Sequence, residues 1–417
     1  GRTVFIGALK MIIAPLILAS IVAGITSMPS FGETGRVGGK TLLYYVTTTT
    51  IAVAIGLALV LTLKPGEQDA SRKLRERRVQ QLEQRRAEYQ EETQRDPLAA
   101  ENRSHYIMWL LTVESKEHGE GEDASRFAKV ARAGQRTGGD IFREDIVQPL
   151  LTNPFNSLAT TNSLGIIFFS ILLGLACIAV GDVGRPVVRF FHSANEIILL
   201  ITRWIMAMSP LAIFCLMAGI VAEHGLEVFR SLGWYCGTVI GGIAIHVVVL
   251  LTICAVVGRV HPWRFLRGIR EPWAIAFATR SSAATLPSTV RAVTEKLGVS
   301  RKVANFTLPV GATINMDGTA LYEGVAVIFL IQIYGGLDDV SIQLGGAITL
   351  VIFVTAVLAS VGAAAVPDAG LVTMVLVANA VHLPVYYIPL IFSVDAFLDM
   401  FRTSTNIMGD AVGAVVV

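Results

Sequence analysis

Apolar residues in this chain gather into runs far longer than a strand or an amphipathic helix requires. Such runs cover about 5–28, 42–63, 164–180, 197–221 and 232–257. A helix needs roughly 17–25 mainly apolar residues to cross a bilayer, so each run is predicted as a transmembrane helix. After residue 257 the pattern changes. Two further apolar segments, "IAFATRSSAATLPSTVRAV" and "VLASVGAAAVPDAGLVTMVL", are interrupted midway by small and polar residues. Such a break leaves backbone groups unpaired, which lipid tolerates only where the break is buried in protein or lines a wet cavity. A pair of breaks of this kind points to a binding site. They are predicted as two re-entrant helical hairpins, against the alternative of ordinary loops between short soluble helices.

Between them, "FTLPVGATINMDGTALYEGVAVIFLIQIYG" is one more apolar helix, interrupted by "NMDGT". Gly318 and the polar cluster are expected to unwind it and to free carbonyls beside Asn315 and Asp317. The final segment, "SVDAFLDMFRTSTNIMGDAVGAVVV", carries Asp395, Asp399, Arg402, Asn406 and Asp410. At about 100° per residue, these side chains share a stripe roughly 80° wide. A surface helix would turn such a stripe to water. Here the opposite face (Val394, Phe397, Leu398, Phe401, Ile407) and the surrounding chain are apolar. A charge at mid-membrane costs about 2.5–3.5 kcal/mol, so the ionised groups together cost on the order of 10 kcal/mol unless they face a protein interior. The stripe reads as a functional site.

Composition fits this picture. Of 417 residues, 53% are hydrophobic and 16% charged, and the mean hydropathy is +0.60. That excludes an ordinary water-soluble protein of this length and gives an all-α polytopic membrane protein. The net charge of +2 says nothing about nucleic acid, no basic-aromatic cluster suggests it, and no nucleic-acid partner is expected. The chain opens at "GRTVFIGALK" without a Met and stops inside an apolar run, as expected of a trimmed sequence.

Charge is distributed unevenly. Residues 64–145 hold roughly half of all charged side chains, nearly balanced in sign. The part "SRKLRERRVQQLEQRRAEYQEETQ" is rich in helix formers with no apolar face, so it is expected as a solvated helix or disorder. This insertion is predicted to be extramembrane and dispensable for transport. Positive charge collects in "GRVGGK" (Arg36, Lys40), "GDVGRPVVR" (Arg185, Arg189) and "VHPWRFLRGIRE" (Arg264, Arg267, Arg270), whereas "GGLDD" is acidic. If each broken segment enters and leaves on one side, all the positive loops fall in the cytoplasm and the insertion faces outward.

Candidate metal chemistry is that of hard oxygen. Cys177, Cys215, Cys236 and Cys254 lie in apolar stretches without CxxC spacing, and read as small core residues. The seven histidines lack ligand spacing, and His246 in "IAIHVVVL" reads as a packing residue rather than a proton carrier. Carbonyls, amides and carboxylates suit Na⁺ better than a transition metal.

Four stretches, "RSSAATLPST", "GATINMDGTALYEG", "ASVGAAAVPDAG" and "DAFLDMFRTSTNIMGD", occur in an order and spacing that resembles the glutamate transporter family, the dicarboxylate/amino-acid:cation symporters. The resemblance runs from Phe5 to Val417 apart from the insertion. It implies a homotrimer in the lipid bilayer, with a scaffold, a moving transport domain and hairpin tips near Ser281 and Val366. The domain reading is 1–63 as transmembrane scaffold and transport helices without the first helix of the family, 64–145 as extracytoplasmic insertion, 146–258 as scaffold helices and connecting segments, and 259–417 as transport core. The expected location is multi-pass in the plasma (cell inner) membrane.

Carried onto matching positions, the resemblance implies that Arg402 clamps the substrate's side-chain carboxylate and Asp399 holds its amino group. Thr319, Thr403 and Asn406 complete the pocket, and backbone at Ser282 and Val366 meets the α-carboxylate. One cation site would use Asp410, Asn406 and the carbonyls of Gly311 and Asn315. A second would use Asp317 and Asn315 with Tyr45, Thr48 and Thr49. A third would use carbonyls of Thr313, Ser360, Val361 and Ala363. Ala365 stands where the family usually has a glycine, and Asp368 adds a carboxylate after Pro367.

The expected function is Na⁺-coupled import of acidic amino acids (aspartate or glutamate) by alternating access, without an organic cofactor and without enzymatic activity. A proton-coupled C4-dicarboxylate symporter is the nearest alternative, but a dicarboxylate has no ammonium for Asp399. A neutral amino-acid carrier would leave Arg402 without its anion, and passive anion conduction remains open as a secondary activity. From another class, an intramembrane aspartyl protease needs paired Asp residues on different helices in a GxGD-type context, which neither "LDM" nor "MGD" supplies.

Overall fold

The computed structural model describes residues 2–26, 31–97, 99, 102–117, 143, 147–160, 162–206, 232–335, 337, 342, 344–361 and 369–417. The described residues are almost entirely helical. In chain order the helices are α1 (Arg2–Thr26), α2 (Phe31–Leu63), α3 (Asp69–Thr93), α4 (Arg103–Glu117), α5 (Gln148–Leu151), α6 (Pro154–Thr160), α7 (Ser163–Val180), α8 (Arg185–Met206) and α9 (Gly233–Val256). They continue with α10 (Pro262–Thr279), α11 (Ser282–Arg291), α12 (Arg301–Ile314), α13 (Asp317–Tyr334), α14 (Gly346–Val361), α15 (Ala369–Ala380) and α16 (Phe392–Val416). A π-type turn, Ala292–Lys296, extends α11, and a 3-10 segment, Val385–Ile391, leads into α16. Among the described residues four stretches are long and apolar enough to cross a membrane: Gly35–Glu67, Gly165–Ile198, Gly233–Val256 and Arg301–Tyr334. The apolar run 197–221 enters α8 and then passes outside the described residues, as does the insertion beyond Glu117.

The sequence breaks are visible as local chemistry. α10 ends at Arg280, whose φ of 55° lies in the left-handed region that closes helices. The next residue, Ser281, starts α11 by accepting the Ala284 N–H on its hydroxyl at 3.2 Å. Both halves of this break are buried. At "NMDGT" the helix is interrupted at Asn315 and Met316, and α13 begins at Asp317. Gly318 therefore sits inside the first turn of α13, not in the break itself. Its part is close approach: a Cβ there would lie 2.6 Å from the Arg402 carbonyl oxygen and 2.8 Å from its Cα. Of the second broken segment, residues 362–368 lie outside the described residues.

Helix α16 is the hub, packing against α2, α9, α10, α11, α12 and α13. Two apolar cores meet along it. One holds Ala52, Val53, Leu321, Phe329, Tyr387, Val394 and Leu398. The other holds Tyr45, Phe265, Leu286, Leu308, Met316, Ile407 and Ala411. The polar positions of α2, the Asn315–Met316 break and α16 fall between the two, so a polar layer crosses the protein's waist.

The insertion departs from the sequence expectation. α3 is helical as predicted, but it does present an apolar edge. Leu82 and Tyr89, two turns apart, are buried with Tyr106 and Leu110 of α4 in the same core as Tyr386 and Tyr387. Tyr89 packs on Tyr106 (ring centroids 5.1 Å apart), Tyr106 meets Tyr386 at 6.2 Å, and Tyr387 stacks on Tyr334 at 4.0 Å. Tyr89 also bonds His105 Nδ1 through its hydroxyl at 2.8 Å, and Trp109 Nε1 donates to Glu92 at 2.8 Å. A docked edge built from two residues in seven leaves an averaged amphipathic signal near zero, which is why the sequence pattern hid it.

Two outcomes test this packing. Tyr106→Ala removes a buried ring, a loss that costs about 3–5 kcal/mol for large aromatics; limited proteolysis should then cut between α3 and α4 faster while the apolar helices stay resistant. Gly318→Ala overpacks the crossing with α16 and should lower the thermal midpoint by an amount equivalent to about 1–3 kcal/mol. Gly237, exposed on α9 with nothing within 4 Å of a Cβ, is the control, and Gly237→Ala should melt at or above the parent midpoint.

Candidate functional site

The polar layer begins with Arg402, the largest fully buried side chain. Its Nη1 lies 3.1 Å from Asp395 Oδ1 and its Nη2 lies 2.8 Å from Asp399 Oδ1. The guanidinium carbon stands 3.9 Å above the centre of the Tyr322 ring, a cation–π contact. Tyr322 donates its hydroxyl to Asp395 Oδ1 at 2.7 Å. The ion pairs are close in distance but imperfectly aligned, and among the described residues none of the three guanidinium nitrogens has a well-aligned hydrogen-bond partner. Arg402 is thus neutralised while its directional donor capacity is unspent, the condition in which a bidentate anion binds well. Thr403 turns its hydroxyl to Asp399 Oδ1 at 3.5 Å.

Asn406, one turn further on, ties α16 to the first turn of α13. Its Oδ1 accepts the Gly318 N–H at 2.8 Å, and its Nδ2 approaches Thr319 Oγ1 at 3.3 Å and Met316 Sδ at 3.2 Å. Asn315, at the helix break, links Asp410 of α16 to Thr48 of α2. Its Nδ2 donates to Asp410 Oδ1 at 3.0 Å, while its Oδ1 accepts from Thr48 at 3.3 Å. Asp317 Oδ1 accepts from Thr49 at 2.6 Å, and it lies 3.3 Å from the Thr48 hydroxyl, whose single proton it shares with Asn315 Oδ1. Tyr45 donates to the Thr307 carbonyl at 2.8 Å. A Cβ on Gly311 would lie 2.5 Å from both the Tyr45 hydroxyl and Asp410 Oδ1, so only glycine leaves room there.

Most sequence-predicted site residues therefore converge: Tyr45, Thr48, Thr49, Gly311, Asn315, Asp317, Thr319, Asp399, Arg402, Thr403, Asn406 and Asp410. Ser282 is buried in the first turn of α11, which packs on α16, but no hydrogen bond joins it to the Arg402 group among the described residues. Thr313 is buried near the end of α12, and Ser360 is buried in the last turn of α14; these two helices touch. Val361 closes α14, and Ala363, Val366, Ala365 and Asp368 lie outside the described residues. No group of three His, Cys, Asp or Glu side chains that could hold a metal occurs among the described residues, which leaves hydroxyl, amide, carboxylate and carbonyl oxygens as the available donors.

Sequence reasoning passed over three partners. Asp395 lies on the same stripe as Arg402, yet it was given no role until the fold showed it paired. Glu323 is fully buried on α13, with one oxygen accepting from Thr373 and the other, Oε2, without a hydrogen-bond partner among the described residues; an acid inside so apolar a helix is itself the signal. His246 is buried and partnered, as expected of a satisfied packing residue, but its partner is a site acid: its Nε2 lies 3.0 Å from Asp317 Oδ2 with both side chains fully buried. A lone histidine in an apolar run shows nothing of what faces it across a helix contact.

The sequence model of the sodium:dicarboxylate symporter family matches residues 2–100 and 109–417. Excitatory amino acid transporter 2 of Homo sapiens is 39% identical over 416 residues, covering 98% of this chain and 71% of that protein. Excitatory amino acid transporter 3 of Oryctolagus cuniculus is 37% identical over 416 residues, with 98% and 76% covered. An excitatory amino acid transporter of Caenorhabditis elegans is 37% identical over 423 residues, with 98% and 78% covered. Since the family match runs through the interrupted helix and on to the last residue of the charged one, the chain belongs to the sodium:dicarboxylate symporter family and is an integral, polytopic membrane transporter.

Proposed function

We propose that this symporter takes up acidic amino acids, aspartate or glutamate, with Na⁺ as the coupling ion. The observation that carries the reading is Arg402, fully buried between two carboxylates, with no well-aligned hydrogen bond to its guanidinium among the described residues. An amino-acid substrate with a side-chain carboxylate can exchange the internal Arg402–Asp399 pair for two external ones. Its carboxylate takes the guanidinium, and its ammonium takes Asp399. No charge is left alone in a low-dielectric interior during that exchange, which is the costly outcome to avoid. Thr319, Thr403 and Asn406 line the same pocket, with backbone at Ser282 and Val366 reserved for the α-carboxylate. The similarity to excitatory amino acid transporters supports the substrate class.

The cations belong to the rest of the layer. Asp410 and Asn406 with the carbonyls of Gly311 and Asn315 form one proposed site. Asp317 and Asn315 with Tyr45, Thr48 and Thr49 form another, and the carbonyls of Thr313, Ser360, Val361 and Ala363 a third. Asn315 bonds Asp410 and meets Thr48, whose hydroxyl also lies beside Asp317, and Asn406 reaches from the substrate side to the helix break, so a ligand at one site alters the donors of the next. The division into scaffold helices (1–63 and 146–258), an outer insertion (64–145) and a moving transport core (259–417) with two re-entrant hairpins is part of the same proposal. So are the homotrimer and the plasma-membrane location.

Uptake of radiolabelled aspartate into proteoliposomes should require an inward Na⁺ gradient. Arg402→Cys should weaken aspartate binding by at least about a hundredfold, since a buried charge-assisted carboxylate pair is worth several kcal/mol and 1.4 kcal/mol is tenfold. The same variant should gain small neutral amino acids, and retained aspartate affinity would refute the pocket assignment. Aspartate and Na⁺ should tighten each other's binding equally, as linkage requires. A titration at several Na⁺ concentrations balanced with choline measures this. A dissociation constant insensitive to Na⁺ but steep with pH would transfer the reading to the proton-coupled dicarboxylate alternative, for which the unpartnered Glu323 oxygen is the one favourable observation.

A further inference from the structure

Away from the polar layer, a second group of charges stands without counterparts. Arg264, Arg267 and Arg270 follow one another at three-residue intervals on the exposed side of α10. Residues so spaced lie along one ridge of a helix. Among the described residues no ion pair or side-chain hydrogen bond engages any of the three. Gly268, between them, brings the next cation in. A Cβ at this position would lie 2.6 Å from Leu297 Cδ2, so the absence of a side chain lets the end of the π-type turn rest directly on α10. That contact delivers Lys296 to the arginine ridge.

Arg264, Arg267, Gly268, Arg270 and Lys296 together line a half-open surface cavity of about 470 Å³. The acids nearby offset only Lys296 and leave the three arginines unpaired among the described residues. Glu271 is shared between Lys296, at 3.0 Å, and Arg291, and Glu295 is exposed on the adjoining turn. Trp263, next to Arg264 at the start of α10, is 66% exposed. A bare tryptophan beside a ridge of arginines is the arrangement found where a membrane surface meets protein. Guanidinium groups bind phosphate oxygens in bidentate fashion, and their weak hydration suits a partly enclosed site.

We propose that this cavity binds a phosphate anion, supplied by the headgroup of an anionic phospholipid. The bound phosphate would bridge α10 to the turn that ends α11, and so staple the base of the helix pair whose break is Arg280–Ser281. The site shares no residue with the proposed substrate and cation sites and does not depend on them.

The test uses the purified full chain in detergent and native mass spectrometry with added phosphatidylglycerol or phosphatidylcholine. The parent should retain phosphatidylglycerol in preference to phosphatidylcholine. The triple variant Arg264→Gln/Arg267→Gln/Arg270→Gln should bind phosphatidylglycerol on the order of 100-fold more weakly, the sum expected of three basic contacts to an anionic headgroup. The triple Arg→Lys variant should recover only part of that loss, because it keeps the charge at the same exposed positions but not the bidentate fork. Arg185→Gln/Arg189→Gln, in another basic stretch, should bind like the parent. Binding by the triple Gln variant within about threefold of the parent, or an equal loss in the Arg185/Arg189 variant, overturns the site. Displacement of the lipid by millimolar inorganic phosphate overturns the lipid assignment in favour of a soluble phosphate ligand.

Discussion

A guanidinium without access to water must find its anions inside the protein, and Arg402 finds two on its own helix. Removing one partner of a buried pair leaves an uncompensated charge at a cost of about 3–5 kcal/mol, so the three residues act as a unit. The unit constrains its surroundings. Tyr322 must lie under the guanidinium and offer its hydroxyl to Asp395. Gly318 must be without a side chain so that α13 can reach the Arg402 backbone. Helix α16 consequently sits at the centre of the packing, with α2, α9, α10, α11, α12 and α13 around it.

The polar layer is sustained by what lies on either side. Two apolar cores close above and below it, and the interior they enclose strengthens every hydrogen bond while penalising any left unmade. The network of Thr48, Thr49, Asn315, Asp317, Asn406 and Asp410 is almost fully paired in this arrangement. Its members are oxygen-rich and short-ranged, so an alkali cation could replace hydrogen-bond donors without a large rearrangement. Coupling between ligands then needs no long path, because Asn315 and Asn406 are each shared between neighbouring groups.

The outer parts of the molecule follow a different logic. Helix α3 is strongly polar and α4 mixed, yet an edge of Leu82, Tyr89, Tyr106 and Leu110 docks them onto the segment that leads into α16. At the arginine ridge of α10 the opposite holds, since charge is gathered where few acids meet it. One surface is held by rings packed on rings, the other by a ligand that charge alone would recruit.

The sequence by itself determined the class of the protein and the placement of its chemistry. Runs of apolar residues specified the membrane helices because crossing a bilayer fixes length and composition. The interruptions at Arg280–Ser281 and Asn315–Met316 could be read from local residue types, since capping and unwinding are local effects. The stripe from Asp395 to Asp410 followed from helical periodicity alone. Which groups meet was decided only by the tertiary structure. Thr48 and Thr49 on α2 reach Asp317 from 268 residues or so away in sequence, and His246 reaches the same carboxylate from α9. Tyr89 and Tyr106 belong to the core because of where Tyr386 stands. Periodicity reports how one helix faces its surroundings, whereas a contact between helices depends on the packing of both, and that is set by the whole chain.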